Sequence, residues 1–272
     1  MYSGSTLTRI SGNIIGAHQK IDRIARRQLE SMLPGLEFPE ITNILHFEGN
    51  QGPDSTKRKS PAHDEEWHYI QPFDNKDTQL IDFINLHYKE LVKALKSTNQ
   101  ERAAFEAAWL SHAIVDGLTP AHHYPYEQKL MELRNGEGLE TRTTVKAKLV
   151  MPGDTRGHAI KNNWKMWGPK GLFTTHAAFE MGFATLIAPL SFTDIVPATD
   201  YVSAISKQHV GPWFRSVAQQ IVKLNLYDTF YETGWTMKLS GKVTKELAPT
   251  LINAVTAAWY CAYEEANLKH KS

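Results

Sequence analysis

A chain of 272 residues can bury a substantial hydrophobic core, and we expect one compact domain. Its 30 basic and 29 acidic residues give a formal net charge of +1, which excludes a global attraction to nucleic acid or to anionic membranes. Because Cys261 is the single cysteine, an intramolecular disulfide and a cysteine-rich zinc site are excluded, and the 12 histidines, Asp and Glu remain as metal ligands.

The sequence has no apolar run close to the roughly 20 residues that span a bilayer, so we expect no transmembrane segment. Residues Met1 to Arg9 lack the basic and apolar regions of a secretory signal. A cytoplasmic protein and a secreted protein whose signal has been removed both fit this pattern, and both fit the absence of disulfides. The sequence therefore leaves the compartment open.

Apolar residues recur at three- and four-residue steps along most of the chain, which predicts amphipathic helices. Strand alternation, a glycine-rich phosphate loop and internal repeats are all missing from the sequence. The sequence therefore predicts an all-α fold, a single-domain multi-helix bundle over residues 1–272. The predicted helices are Ser11 to Met32, a short one within Glu37 to Ile44, Thr78 to Leu95, one that follows Asn99 and carries His112, Pro125 to Arg134, Phe173 to Ile187, Val210 to Leu226 and Val243 to Leu268.

Residues 124–170 have a weaker helical pattern, and we predict that they form a largely irregular insertion. The insertion holds Trp164 and Trp167. Burial of their rings against the core is predicted, and contact with a substrate or a lipid is the alternative.

The loop from Glu48 to Glu66 is rich in Gly, Pro, Lys and Asp. Its basic patch, Lys57 to Lys59, is predicted to be solvated, with contact to a phosphate as the alternative. His46 and His63 have no partner at helical spacing, and we predict that they lie at the surface or behind the ligands. His87 is predicted to be a structural residue at the surface.

The stretch from His112 to His122 carries the clearest metal-ligand pattern. His112 and Asp116 are one helical turn apart, so their side chains should lie on one face of a helix. Gly117 and Pro120 end that helix and turn the chain, which would bring His122 back to the same region. Two imidazoles and a carboxylate would then converge.

Further candidates lie on other predicted helices. His18 is one helical step from Ile14 and Ile21, so it faces the core or borders it, and a histidine bonded to a backbone carbonyl is the alternative to a ligand. His176 and Glu180 are one turn apart among apolar residues, where a buried charge needs a partner or a metal. An exposed contact between the two side chains is the alternative.

Asp54 and His68, in and just after the loop, complete a candidate set of zinc ligands. Such a set can hold two or three ions, which can clamp a phosphodiester while one of them activates water. The members are His18, Asp54, His68, His112, Asp116, His122, His176 and Glu180.

The pattern His112-x3-Asp116-x3-Pro120-x-His122 resembles the signature helix of the zinc-dependent phospholipase C and S1/P1 nuclease superfamily. The resemblance spans roughly residues 10 to 185, and its motifs follow the family order. The other motifs are His18-Gln-Lys-Ile21-Asp-Arg-Ile-Ala25, Pro53-Asp54, Trp67-His68-Tyr69-Ile70 and His176-x3-Glu180.

The resemblance implies two or three zinc ions (Zn2+). It implies that Asp116 bridges the first ion to a third, which His18 also binds, and that a bridging hydroxide is the nucleophile. Asp54 would be the catalytic residue that orients this hydroxide or accepts its proton. In the family an amino-terminal tryptophan also chelates the third ion, whereas this chain starts Met1-Tyr2 and its first tryptophan is Trp67. The implied ligands are Asp54, His68, His112 and Asp116 for the first ion, and His122, His176 and Glu180 for the second.

A zinc-dependent phosphodiester hydrolase of the phospholipase C type is the favoured function. Glu180 is the phospholipase-like choice at its position, and the chain lacks the cysteines of the disulfide-bonded nucleases. The expected substrate is a phospholipid head group or a similar small phosphodiester. Peripheral contact with a membrane is left open, and no obligate protein partner is indicated.

Two alternatives remain. One is a non-catalytic helical protein that the metal stabilises, in which the ligands close the coordination sphere. The other is a single-strand nuclease or nucleotidase of the same fold, which needs aromatic rings to stack the bases. The candidate rings are Tyr69, Tyr124, Tyr126, Trp164 and Trp167.

Overall fold

The computed structural model describes residues 16–49, 52–57, 61–62, 67–193, 195 and 199–267. Most of these residues are helical and none of them forms a strand, which confirms the all-α prediction. None of the helices in these ranges has both the length and the apolar character that crossing a bilayer requires. The α-helices are α1 (Ala17–Met32), α2 (Ile41–Glu48), α3 (Pro53–Lys57), α4 (Gln79–Lys96), α5 (Gln100–Gly117), α6 (Tyr126–Leu133), α7 (Val145–Leu149), α8 (Arg156–Trp167), α9 (Leu172–Ile187), α10 (Thr199–Gln208), α11 (Val210–Val222), α12 (Leu226–Thr233), α13 (Met237–Lys242) and α14 (Ala248–Asn267).

Shorter helical turns join some of these helices. A 3-10 turn over Pro120–His123 follows α5, and a second one, Leu139–Thr141, lies between α6 and α7. A π-helical turn over Val243–Leu247 connects α13 to α14.

Helix α5 lies at the centre of the fold, in contact with α1, α2, α4 and α14. Ala103, Ala104 and Ala107 are completely buried, and their small side chains let the neighbouring helices approach closely. The helix begins after Asn99, whose side chain accepts a hydrogen bond from the backbone nitrogen of Arg102, as the sequence predicts. Helix α5 is therefore held on several sides before its last turns reach the candidate ligands.

Several helix boundaries differ from the predictions for local reasons. Helix α1 is described from Ala17, and its predicted start at Ser11 lies outside the described residues. Helix α2 continues to Glu48, one turn beyond its predicted end. The helix predicted to reach Leu226 ends earlier, because Asn225 takes a positive φ of 50° and breaks it into α11 and α12. Helix α10 was not predicted, because it buries little apolar surface.

The segment 124–170 is more helical than predicted, since it contains α6, α7 and α8. The predicted burial of its tryptophans is wrong, because Trp164 is 68% exposed and Trp167 is 38% exposed. Helix α8 directs Met166 inward and leaves the two indoles on the outer side. These helices help to form a small second hydrophobic cluster, whose buried members are Tyr126, Leu130, Met151 and Met166.

His87 is buried, so the prediction that it lies at the surface is wrong. Its Nδ1 forms a hydrogen bond with the carboxylate of Glu106 on α5, which Arg102 also contacts. The rings of Phe83 and Trp109 pack beside the imidazole. A buried carboxylate requires such partners, and they come together only when α4 and α5 pack.

Gly182 of α9 lies against the indole of Trp235, which also stacks on the ring of Phe179. A Cβ at position 182 would overlap that indole, whereas a Cβ on Gly241 of α13 would meet open space. Gly182→Ala should lower the free energy of unfolding by about 1 to 3 kcal/mol. Gly241→Ala should leave it unchanged or raise it by up to about 1 kcal/mol. Denaturant unfolding followed by circular dichroism compares the two variants, and equal stabilities would show that Trp235 moves aside without cost.

Candidate metal centre

Helix α5 and the turn after it bring three of the predicted ligands together. Nε2 of His112 lies 3.3 Å from Oδ2 of Asp116, one turn further along the helix. The helix ends at Gly117, where a Cβ would overlap side chains of α4 and α11, and the 3-10 turn starts at Pro120. This turn places Nδ1 of His122 3.7 Å from the same oxygen of Asp116. The three side chains therefore converge, as their spacing predicts.

Asp116 is the point at which four histidines meet. Nε2 of His18 on α1 lies 3.1 Å from Oδ1 of Asp116, and Nδ1 of His68, in the segment before α4, lies 2.7 Å from Oδ2. Together with His112 and His122, these rings surround a carboxylate that is completely buried. Burial of a carboxylate is costly unless hydrogen bonds or positive charge compensate for the lost water.

The described residues contain three groups whose ligand atoms lie within 4.8 Å of one another. All eight predicted ligands fall into these groups, and one residue that the sequence reasoning missed, Glu48, joins them. The groups are Asp54, His68, His112 and Asp116; His18, Glu48 and His112; and His122, His176 and Glu180.

The group on α9 is built around one carboxylate oxygen. Oε1 of Glu180 lies 2.9 Å from Nε2 of His176, one turn earlier on α9, and 2.9 Å from Nε2 of His122. Nδ1 of His122 donates a hydrogen bond to the backbone oxygen of His68 at 2.7 Å. That bond fixes the orientation of the His122 ring, so its other nitrogen faces Glu180.

Asp54 lies at the outer side of the first group. Its Oδ1 is 3.9 Å from Nε2 of His112, and its side chain is 10% exposed, whereas Asp116 is completely buried. The short helix α3 that carries Asp54 follows Gly52, where a Cβ would overlap the backbone of Glu48. The close approach of these two segments therefore places Asp54 beside the end of α2.

Glu48 is the last residue of α2 and is completely buried. Its Oε1 lies 2.9 Å from Nδ1 of His112 and 3.6 Å from Nδ1 of His18. Burial raises the pKa of Glu48 well above its ordinary value, so nearby positive charge would be needed to keep it ionised. Glu48 lies one helical turn after Ile44, a buried residue of α2, and this spacing could have indicated that Glu48 is buried as well. It was missed because α2 was predicted to end at Ile44.

The rings of His18 and His112 stack in parallel, with centroids 4.1 Å apart and an angle of 3° between their planes. Glu48 lies at their Nδ1 edges and Asp116 lies at their Nε2 edges. Burial, followed by the neighbouring His112, lowers the pKa of His18, and burial lowers the pKa of His122. Lower pKa values favour neutral imidazole, which is the form that binds metals.

Tyr69 packs between two rings beside the α9 group. One ring is His122, at 5.1 Å and 24°, and the other is Tyr126, at 5.3 Å and 7°. Tyr126 also contacts the ring of His176. The ring of Tyr69 is therefore already stacked with two protein rings, which leaves less of it for a nucleic acid base.

Among the described residues, the other residues singled out from the sequence are not members of the three groups. His46 is exposed, in agreement with a position at the surface. The side chains of the basic patch Lys57 to Lys59 lie outside the described part of the chain, as do His63 and the amino terminus, Met1-Tyr2.

Comparison of the chain with protein-family models, with curated proteins and with solved structures finds no match. A function is therefore inferred from the geometry of the candidate centre.

Proposed function

We propose that this protein is a zinc-dependent phosphodiester hydrolase of the phospholipase C type. The observation that carries the proposal is the carboxylate of Asp116, which contacts His112 of one group and His18 of another and lies 3.7 Å from His122 of the third. Groups that meet at one buried carboxylate can hold neighbouring cations. Neighbouring cations are suited to clamp the charged oxygens of a phosphodiester.

The side chains fit zinc better than they fit magnesium or calcium. The three groups are rich in imidazole, which zinc binds readily, whereas magnesium and calcium prefer oxygen ligands. Nδ1 of His122 carries the proton that it donates to a carbonyl, so Nε2 of a neutral His122 has only a lone pair. This nitrogen lies 2.9 Å from Oε1 of Glu180, and a positive charge is needed to hold the two electron-rich atoms together. Bound zinc would supply Lewis acidity toward a phosphate oxygen and make a nucleophile of water at neutral pH.

The two aspartates of the first group would have different tasks. Asp54 has an exposed edge beside His112, so it can orient the attacking water and accept its proton. Asp116 is completely buried, so it cannot exchange protons with solvent directly and instead fixes the surrounding rings. In the α9 group, Tyr69 packs against the ring of His122 and Tyr126 packs against the ring of His176.

Two of the five rings considered for base stacking are already engaged within the protein, which supports a phospholipase-like substrate. The ring of Tyr69 is already stacked with His122 and Tyr126, and Tyr126 is buried. The purely structural metal site is disfavoured because Asp54 and Glu180 retain exposed side-chain surface, 10% and 14%. A site that only stabilises the fold normally closes around its ion.

The first test measures zinc and hydrolysis together. Elemental analysis should find at least two zinc ions per chain, and the protein should hydrolyse bis(p-nitrophenyl) phosphate. Asp54→Asn should lower kcat by about 100- to 10,000-fold, because it removes a proton acceptor. Asp82→Asn, at an exposed position of α4, is the matched control and should be fully active. Less than one zinc per chain, or an Asp54→Asn variant as active as wild type, would refute the proposal.

The substrate class is tested with the same protein. Release of phosphocholine from phosphatidylcholine supports the phospholipase C type. Digestion of single-stranded DNA without phosphocholine release would assign the nuclease function instead. Bound zinc without hydrolysis of any of these phosphodiesters would assign the structural role.

Two substitutions separate a shared ligand from a local one. Asp116→Ala should abolish activity and reduce the zinc content by more than one ion, because this carboxylate adjoins several groups. His122→Ala should reduce the zinc content by a single ion, because His122 is a member of the α9 group alone. Elemental analysis after gel filtration measures both losses, and equal zinc losses in the two variants would contradict the shared role of Asp116.

Glu48 is expected to orient the histidines without contacting the substrate. Glu48→Gln should weaken zinc binding by about 10- to 100-fold, as loss of a carboxylate behind a ligating histidine typically does. Glu106→Gln is the matched control, because Glu106 is a buried carboxylate paired with His87 away from the three groups. Competition with a chelating dye gives the zinc affinities. Equal affinities in the wild type and Glu48→Gln would remove Glu48 from the centre.

A further inference from the structure

The segment from α7 to the start of α9 carries several exposed apolar side chains. Ile160 is 72% exposed and Trp164 is 68% exposed, which is unusual for side chains of this size. The indole Nε1 of Trp167 donates a hydrogen bond to the backbone oxygen of Leu149, which joins the ends of α7 and α8. We name this the α7–α8 surface; its exposed apolar members are Val145, Leu149, Val150, Ile160, Trp164, Trp167 and Phe173.

Helix α8 is amphipathic in a direction that leaves its apolar stripe outside. Ile160, Trp164 and Trp167 recur at steps of four and three residues, so they share one face. Met166, on the other side of the helix, is the residue that α8 buries in the small hydrophobic cluster. Asn163 accepts a hydrogen bond from the backbone nitrogen of Met151 and donates one to its backbone oxygen, and this pair of bonds holds the orientation.

Positive charge is concentrated on the same segment. Between residues 145 and 173 the sequence has six basic residues and one acidic residue, Asp154, although the whole chain has a net charge of only +1. Lys161 and Lys165 are exposed and directly follow Ile160 and Trp164 on α8. The basic residues are Lys146, Lys148, Arg156, Lys161, Lys165 and Lys170.

Lipid explains this combination better than protein or nucleic acid does. Tryptophan prefers the boundary between water and acyl chains, and flanking lysines are attracted to anionic head groups. Lysine is depleted from protein interfaces, so a protein partner fits less well. A nucleic acid would use the lysines but would leave Leu149, Val150 and Ile160 without apolar partners.

We propose that the α7–α8 surface binds the anionic face of a lipid bilayer, with Trp164 and Ile160 inserted at the level of the head groups. The binding goes beyond the proposed hydrolysis and does not require it. The position of the segment gives the binding a consequence, since α8 is followed directly by α9, which carries His176 and Glu180. A bilayer bound at this surface would therefore lie near one end of the candidate centre.

Vesicle sedimentation tests the proposal directly. The experiment uses the zinc-loaded Asp54→Asn protein, so that lipid hydrolysis does not alter the vesicles. Binding should be strong to vesicles of phosphatidylcholine with 30% phosphatidylserine, a composition chosen to supply anionic head groups, and weak to phosphatidylcholine alone. Raising the salt to about 0.5 M should weaken the binding, because salt screens charge.

Two further variants locate the contact. Trp164→Ala should lower the affinity for anionic vesicles about tenfold or more, because it removes the most exposed ring. Lys161→Glu combined with Lys165→Glu should lower it at least as much, by reversing the flanking charge. Met237→Ala is the matched control, since Met237 is 93% exposed on α13, away from this surface, and should bind as the parent does.

Several results would overturn the proposal. These are no binding to anionic vesicles, or equal binding by the parent, the Trp164→Ala variant and the charge-reversed variant. A dimer in light scattering that Trp164→Ala converts to monomer would assign the surface to a second copy of the chain. Binding of single-stranded DNA that the charge reversal abolishes, without vesicle binding, would assign it to nucleic acid. Hydrolysis of the soluble phosphodiester is scored separately, so failure of the proposed function leaves the vesicle result interpretable.

Discussion

The carboxylate of Asp116 has no exposed surface and lies within 3.7 Å of ring nitrogens from four histidines. A carboxylate in such a place loses its hydration, and neutral imidazoles return only part of that energy through hydrogen bonds. Positive charge, whether from protons or from metal ions, is what can balance it. Burial disfavours protonated imidazoles, because it lowers the pKa of His18 and of His122. Under the proposed function a bound cation would supply this charge, and the stability of the fold would then be coupled to that cation.

The helices around Asp116 do not only bury the ligands but also fix which ring nitrogen faces inward. A backbone oxygen at position 68 holds Nδ1 of His122, and the carboxylate of Glu48 holds Nδ1 of His112. In each case the other nitrogen is directed at a carboxylate of the centre. This division of the two ring nitrogens is what orients histidines at metal sites in proteins generally. It requires contacts between segments far apart in the sequence, so the packing around α5 is part of the site.

The sequence was sufficient for features that depend on local spacing. The one-turn separation of His112 and Asp116 and the return of the chain at Pro120 follow from helix geometry alone, and the structure agrees with both. Features that depend on contacts between distant segments could not be predicted from local spacing. Glu48 was missed and His87 was wrongly assigned to the surface, because their partners lie on α5.

The exposed tryptophans were misjudged for a different reason. A general preference for hiding aromatic area predicts burial of Trp164, but α8 buries Met166 in the small cluster and leaves the two indoles exposed. The net charge of +1 excludes only a general attraction to anionic membranes, because it averages the charge over the whole chain. Six basic residues within one short segment give a local attraction that the average conceals.

The exposed surface and the candidate centre are connected by the order of the chain. Residues 124–170 leave the centre just after His122 and return to it just before His176, so both ends of this segment adjoin ligands of the same α9 group. The stack of Tyr69 and Tyr126 covers those ligands on the side of the segment, because Tyr126 begins α6. The connection from α8 to α9, which carries His176, is short, whereas α6 and the turn Leu139–Thr141 lie between His122 and α7. In this arrangement the proposed lipid-binding surface and the α9 group are linked by the short connection to α9 and by the packing of Tyr126 against His176.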